Sequence, residues 1–201
     1  LHAQTLDRLT AYLADRLPGF TGPVEAEKTA TGQSNPTFIL TTPSGRYVLR
    51  RKPPGELLKS AHAVDREFRV ISALQETEVP VPPALHLCED EEVIGAMFYV
   101  MGFVPGRTFM DPRTPELTRE ARAAAFDDMN RCLAALHAVD IDAVGLSDYG
   151  KQGSYFARQT ARWTGQYRAS QTEEFPAMDR LIAWLEANMP EDDGQVALVH
   201  G

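Results

Sequence analysis

Residues whose types and spacing could do chemistry fall in three places along this 201-residue chain. The first is TGQSNPTFIL, residues 31–40, a glycine turn between two strand-like runs. Such a turn can aim consecutive backbone N–H groups at an anion. Gly32 reaches backbone conformations closed to other residues, and Thr31, Gln33, Ser34 and Asn35 add small polar donors. A plain hairpin loop fits the same residues, and neither the G-x-G-x-x-G nor the Walker pattern is present. The second place pairs Arg50 in YVLR with Glu67 in DREFRVISAL. Strand alternation puts Val48 and Arg50 on one face and Tyr47 and Leu49 on the other. A cation on the inner face of a sheet needs an anionic partner, and Glu67, one position before the core residue Phe68, can be that partner. The same residues equally fit a solvated strand end, Arg50-Arg51-Lys52, with Glu67 paired to Arg66 or Lys59. The third place is the run GQVALVHG, an apolar strand delivering His200 and Gly201. A lone histidine after a strand reads as a satisfied scaffold residue.

The elements that must position these residues follow from periodicity. Leu6, Leu9, Leu13 and Leu17 recur at helical spacing, which predicts an amphipathic helix over 3–17 stopped by Pro18-Gly19. Strands are predicted at 24–30, 36–42 and 46–51, the last two joined by the turn TPSG. A helix over 56–75 buries Leu57, Leu58, Ala61, Val64, Phe68, Ile71 and Leu74. Strands at 84–88 and 96–103 flank the acidic EDEE, read as a solvated hairpin tip. Beyond VPGRTF the pattern turns helical, at 116–139, 154–170 and 176–188, with no further strand until QVALVH. That shift places a domain boundary near residue 105, dividing 1–105 from 106–201.

Composition narrows the partners. With 20 basic and 28 acidic residues the formal charge is −8, so no basic footprint for nucleic acid is present. No apolar run approaches the roughly 20 residues needed to cross a bilayer, and the opening segment has no signal-peptide pattern. Cys88 and Cys132 belong to no metal-ligand spacing and read as two thiols in a reducing cytoplasm. Nothing in the pattern sets an oligomeric state.

The order of these elements resembles the small lobe of a protein-kinase-like fold: a glycine turn, a strand bearing a cation, a helix bearing a glutamate, then FYVMGFVPG leaving the sheet for helices. YVLR resembles the V-A-I-K strand with Arg in place of Lys. LAALHAVDIDAVGL, GSYFARQTARWTGQY and LVHG extend the resemblance to the aminoglycoside phosphotransferase (APH) family. Within it, the chain is most similar to the broad bacterial phosphotransferase branch and to the kinase-like domains fused to some acyl-CoA dehydrogenases. The resemblance implies an α+β, two-lobe fold, with 1–105 as nucleotide-binding lobe and 106–201 as part of a helical lobe.

It also implies function. Thr31, Gly32, Gln33, Ser34, Asn35 and Arg50 would hold the phosphates of ATP or GTP, with Glu67 orienting Arg50. Met101 would be the gatekeeper, and the backbone of Gly102 and Val104 would pair with adenine. His200 and Gly201 match the first two positions of the family's H-G-D loop, so His200 is a loop scaffold and the catalytic Asp and Mg2+ ligands are expected beyond residue 201. The implied reaction moves a phosphoryl group onto a small-molecule hydroxyl, an aminoglycoside or a hydroxyacyl thioester-type metabolite, and the 201 residues alone are expected to be inactive. A nucleotide-binding pseudokinase is the competing expectation. Arg158, Arg162 and Trp163 read as a helical packing device, His137 as a helix-terminal residue, and His62 and His86 carry no assigned role.

Overall fold

The computed structural model describes residues 1–29, 35–53, 63–151, 153–192 and 194–200. They form two compact units, Leu1–Leu136 and His137–Gly201. The element order of the first unit is α1 (Ala3–Arg16), β1 (Glu25–Lys28), β2 (Thr37–Thr42), β3 (Gly45–Arg51), α2 (Val64–Leu74), β4 (Ala84–Cys88), β5 (Phe98–Gly102) and α3 (Arg119–His137), whose last residue falls in the second unit. The second unit carries α4 (Tyr155–Ser170) and α5 (Pro176–Ala187).

The strands make one antiparallel sheet in the order β1-β2-β3-β5-β4. The turn between β2 and β3 is the predicted one, and Gly45 takes a φ of 140°, a backbone setting that favours glycine. Alternation then sorts the side chains. Phe38, Leu40, Leu49, Phe98 and Val100 join Leu9, Leu13 and Leu17 in one core, so the predicted leucine stripe of α1 covers one face of the sheet. Leu9, Leu13, Leu40 and Leu49 have no exposed surface. Truncating any one of them to Ala removes about 2–5 kcal/mol of stability.

Three expectations change. The helix predicted over 56–75 is described as Val64–Leu74, preceded by Ala63 with a non-helical ψ of 77°. Asp65 and Glu67 stand in its first turn, where carboxylates suit the positive end of the helix dipole. Leu57, Leu58 and Ala61 lie outside the described residues. The connection from β4 to β5 is more than a solvated tip: Glu89, Asp90, Glu91 and Glu92 are exposed, but Val93, Ile94 and Ala96 turn back and are buried. QVALVH is not a strand, since residues 194–200 have no regular secondary structure. An apolar run becomes a strand only against a hydrogen-bonding neighbour, and the second unit has no strand among its described residues.

The three later helices stand near their predicted places, and none contains a buried residue. The Thr118 hydroxyl accepts from the Ala121 N–H at the start of α3, a helix cap. In the second unit Arg168 pairs with Asp179 at 2.6 Å, joining α4 to α5. Cys88 and Cys132 are free thiols. No helix among the described residues is long and apolar enough to cross a membrane.

Candidate functional site

Sheet register sets the site. Arg50 on β3 stands opposite Thr37 on β2 and opposite Tyr99 on β5, so the three residues form a row across the sheet. This row lies on the face away from Leu49 and the α1 core, because neighbours along a strand point to opposite faces. Glu67, in the first turn of α2, meets the row.

There the open choice for Arg50 and Glu67 resolves into a fork. Arg50 Nε donates to Glu67 Oε2 at 2.9 Å and Arg50 Nη2 donates to Glu67 Oε1 at 3.2 Å. The side chains are 28% and 34% exposed, so the pair is sheltered yet reachable from solvent. Charge-assisted forks of this kind hold geometry better than single contacts. Arg51 is not a solvated strand end either: its Nη1 donates to the Ile94 carbonyl at 3.4 Å, beside the buried return of the β4–β5 connection.

Two further donors complete the carboxylate. Asn35 Nδ2 donates to Oε1 at 2.7 Å, and Tyr99 Oη donates to Oε2 at 3.1 Å. Asn35 is 3% exposed and Tyr99 1%. Tyr99 packs its ring against Phe68 with centroids 5.8 Å apart. Burial, and then the neighbouring Glu67 charge, push the Tyr99 phenol well above its ordinary range, which keeps it a protonated donor. Around Arg50 the network closes through Thr37: Arg50 Nη1 lies 3.5 Å from Thr37 Oγ1, which donates to the Asn35 carbonyl at 3.1 Å.

The other predicted site residues are distributed as follows. Thr31, Gly32, Gln33 and Ser34 lie outside the described residues. Asn35, expected among phosphate donors, directs its side-chain amide to Glu67. Met101 pairs with Val48 and Ala84 within the sheet. The Gly102 N–H donates to the Pro83 carbonyl at 2.8 Å, so of its two backbone groups only the carbonyl can face a ligand. A Cβ at Gly102 would stand 3.1 Å from the Pro83 ring. Val104 follows the strand and is 61% exposed. His200 stacks on His137 with ring centroids 6.0 Å apart and planes 20° apart, a contact neither residue's sequence setting predicts. In the helical packing group, Arg162 lies over the Trp163 ring, 5.3 Å from its centroid, while Arg158 Nη2 donates to the Lys151 carbonyl at 2.8 Å; Trp163 is 59% exposed. Among the described residues no group of three or more His, Cys, Asp or Glu side chains can hold a metal ion.

Sequence reading missed Tyr99 and Thr37 as partners of the site. Their signal is the alternation in FYVMG and PTFILTT, which becomes useful only once Arg50 is known to sit opposite both.

The site is thus a glutamate in the first turn of α2, held by a cation on the central strand of a five-stranded antiparallel sheet. A model of the phosphotransferase enzyme family, APH, matches residues 25–201. The chain belongs to this family. A solved structure from Ralstonia eutropha, described as a candidate aminoglycoside phosphotransferase, superposes with a TM-score of 0.80 at 48% identity, over 94% of this chain and 54% of that one. The APH fold of that protein, kinase-like and α+β, is therefore the fold here. Among curated relatives, the probable acyl-CoA dehydrogenase IBR3 of Arabidopsis thaliana is 48% identical over 97% of this chain and 26% of its own length. Acyl-CoA dehydrogenase family member 10 of Mus musculus is 46% identical over 97% of this chain and 18% of its own. The chain spans about a quarter or less of these relatives, and it is that quarter that aligns with an APH-family sequence. The relatives include plant and animal proteins as well as the bacterial one.

Proposed function

We propose that this chain is the nucleotide-binding part, residues 1–105, and a portion of the helical part, residues 106–201, of an enzyme that transfers a phosphoryl group from ATP or GTP to a hydroxyl of a small molecule. The observation that carries the reading is the partly exposed Arg50–Glu67 fork on the face of the sheet away from the α1 core. Glu67 takes the Nε side of the guanidinium, which leaves its far end as a donor pair suited to phosphate oxygens. A bound nucleoside triphosphate would supply the transferable phosphoryl group. Arg50 would hold its phosphates, the Gly102 carbonyl and the Val104 backbone would meet the base, and Met101 would line the space behind it.

The remaining chemistry rests on family resemblance. His200 and Gly201 would open the H-G-D loop, whose Asp would accept the proton of the substrate hydroxyl. The magnesium that the resemblance implies has no ligand set among the described residues, so no step is assigned to it. For the acceptor we favour a hydroxyl on an acyl thioester-type metabolite over an aminoglycoside. The support is that relatives at 46–48% identity carry this segment in chains named as acyl-CoA dehydrogenases.

The test uses the full-length protein. Arg50→Ala should weaken nucleotide affinity about tenfold or more, the loss expected for a charge-assisted contact, while Arg51→Ala should change it little. Isothermal titration with ATP and GTP measures both. Equal effects of the two substitutions would remove the clamp from the reading.

A further inference from the structure

We propose that Tyr99 and Asn35 are positioning residues that decide which edge of Arg50 faces the nucleotide, an inference that rests on the phosphotransferase reading above. A guanidinium has two forked edges, one made by Nε with Nη2 and one made by Nη1 with Nη2. Glu67 takes the first, at 2.9 and 3.2 Å. An unrestrained carboxylate is equally able to take the second, and would then cover the edge a phosphate needs. Tyr99 and Asn35 prevent that exchange, because each fixes a different oxygen: Tyr99 Oη holds Oε2 at 3.1 Å and Asn35 Nδ2 holds Oε1 at 2.7 Å.

With two donors on each oxygen, the roughly four acceptor directions of a carboxylate are filled. Rotation of Glu67 would leave a phenol that is 1% exposed and an amide that is 3% exposed without this acceptor, and buried donors deprived of an acceptor are strongly disfavoured. Thr37 steadies the other flank of the guanidinium, 3.5 Å from Nη1, and is tied to the Asn35 carbonyl. Asn35 thus contacts Glu67 by its side chain and Thr37 by its backbone, and it directly follows residues 31–34 in the chain. The same atoms give Arg, and not Lys, its place at this position. An ammonium has no second planar edge to present once a carboxylate has taken the first.

The test is made in the full-length protein with Tyr99→Phe, which keeps the ring packed on Phe68, and independently with Asn35→Ala. The first readout needs no nucleotide: the side-chain Nε–H resonance of Arg50 in 1H–15N spectra. In the parent protein it should be a resolved, slowly exchanging signal. In either variant it should shift and exchange faster as the fork loosens. The second readout is kinetic, and KM for ATP should rise about tenfold, the equivalent of one hydrogen bond to a charged group, with kcat changing less. An unshifted Arg50 resonance in both variants overturns the proposal. So does a shifted resonance with unchanged KM in a protein whose Arg50→Ala variant has lost nucleotide binding. If Arg50→Ala leaves nucleotide binding intact while Tyr99→Phe still releases the resonance, the positioning stands and the phosphotransferase reading of Arg50 fails. Should Tyr99→Phe not fold, Asn35→Ala alone decides by the same two readouts.

Discussion

A guanidinium and an ammonium divide their donors differently, and Arg50 uses that difference. Its Nε and Nη2 face Glu67 while Nη1 lies toward Thr37. Arg50→Lys should therefore behave as a loss and not as a conservative exchange. An ammonium can satisfy only part of a carboxylate already committed to Asn35 and Tyr99, and it cannot offer a fork to phosphate at the same time. In the full-length protein we expect nucleotide affinity to fall by roughly tenfold, read by titration calorimetry, with the thermal midpoint little changed because the pair is partly solvated. A fully active Arg50→Lys variant would argue that the position needs charge alone. Sequence showed Arg50 and Glu67 as possible partners and nothing more. Their bond depends on how α2 is set against the sheet, and Arg66, directly beside Glu67 in the chain, was an equally open choice of partner. Tyr99 was harder still, because 49 residues separate it from Arg50 and only strand pairing brings the two opposite.

Between α1 and β4, Tyr12 and His86 join the elements across the sheet. Tyr12 Oη lies 2.9 Å from His86 Nε2, and the Tyr12 ring also meets Phe98 edge-on at 6.1 Å. Burial, then the positive charge of Arg16, hold the His86 imidazole below its usual value of 6.5. Burial, with the Cys88 thiol next, pushes the Tyr12 phenol up to about 12. The neutral imidazole is thus the form the fold prefers. As pH falls below about 6.5 the unfolded chain takes up a proton that folded His86 refuses. The stabilisation is full above that value and is lost as pH drops toward the lowered folded one. The thermal midpoint should fall between pH 7.5 and 5.5, and His86→Gln should flatten that fall. An identical slope in the variant would place the acid sensitivity elsewhere. At this scale α1 and the strands were legible because leucine spacing and β-branched alternation are local signals. The strand expected at 195–200 was not, because an apolar run shows hydrophobicity without showing a pairing partner.

The fully buried hydrophobic side chains among the described residues fall almost entirely in one stretch of the chain. Among the described residues, every buried hydrophobic residue except Leu146 lies between Leu9 and Val100, and α3, α4 and α5 contribute none. Stability should be divided accordingly, since helices without a buried face open at little cost. Hydrogen exchange of the 201-residue chain should find its slowest amides in β2, β3, β5 and α1, with α4 and α5 exchanging orders of magnitude faster. Uniform protection along the whole chain would refute that division. The helical periods of 116–188 were readable in sequence, but the described residues of these helices are at most partly buried, and periodicity alone cannot distinguish a covered stripe from a half-open one. The same division has an optical consequence. The chain has two tryptophans, Trp163 on α4 and Trp184 on α5, each 59% exposed. Their indoles are already solvated in the folded state, so intrinsic tryptophan emission reports on the second unit and stays nearly silent while the sheet melts. The melting of the Arg50 site is visible instead in the near-ultraviolet signal of a tyrosine the fold keeps dry, Tyr99.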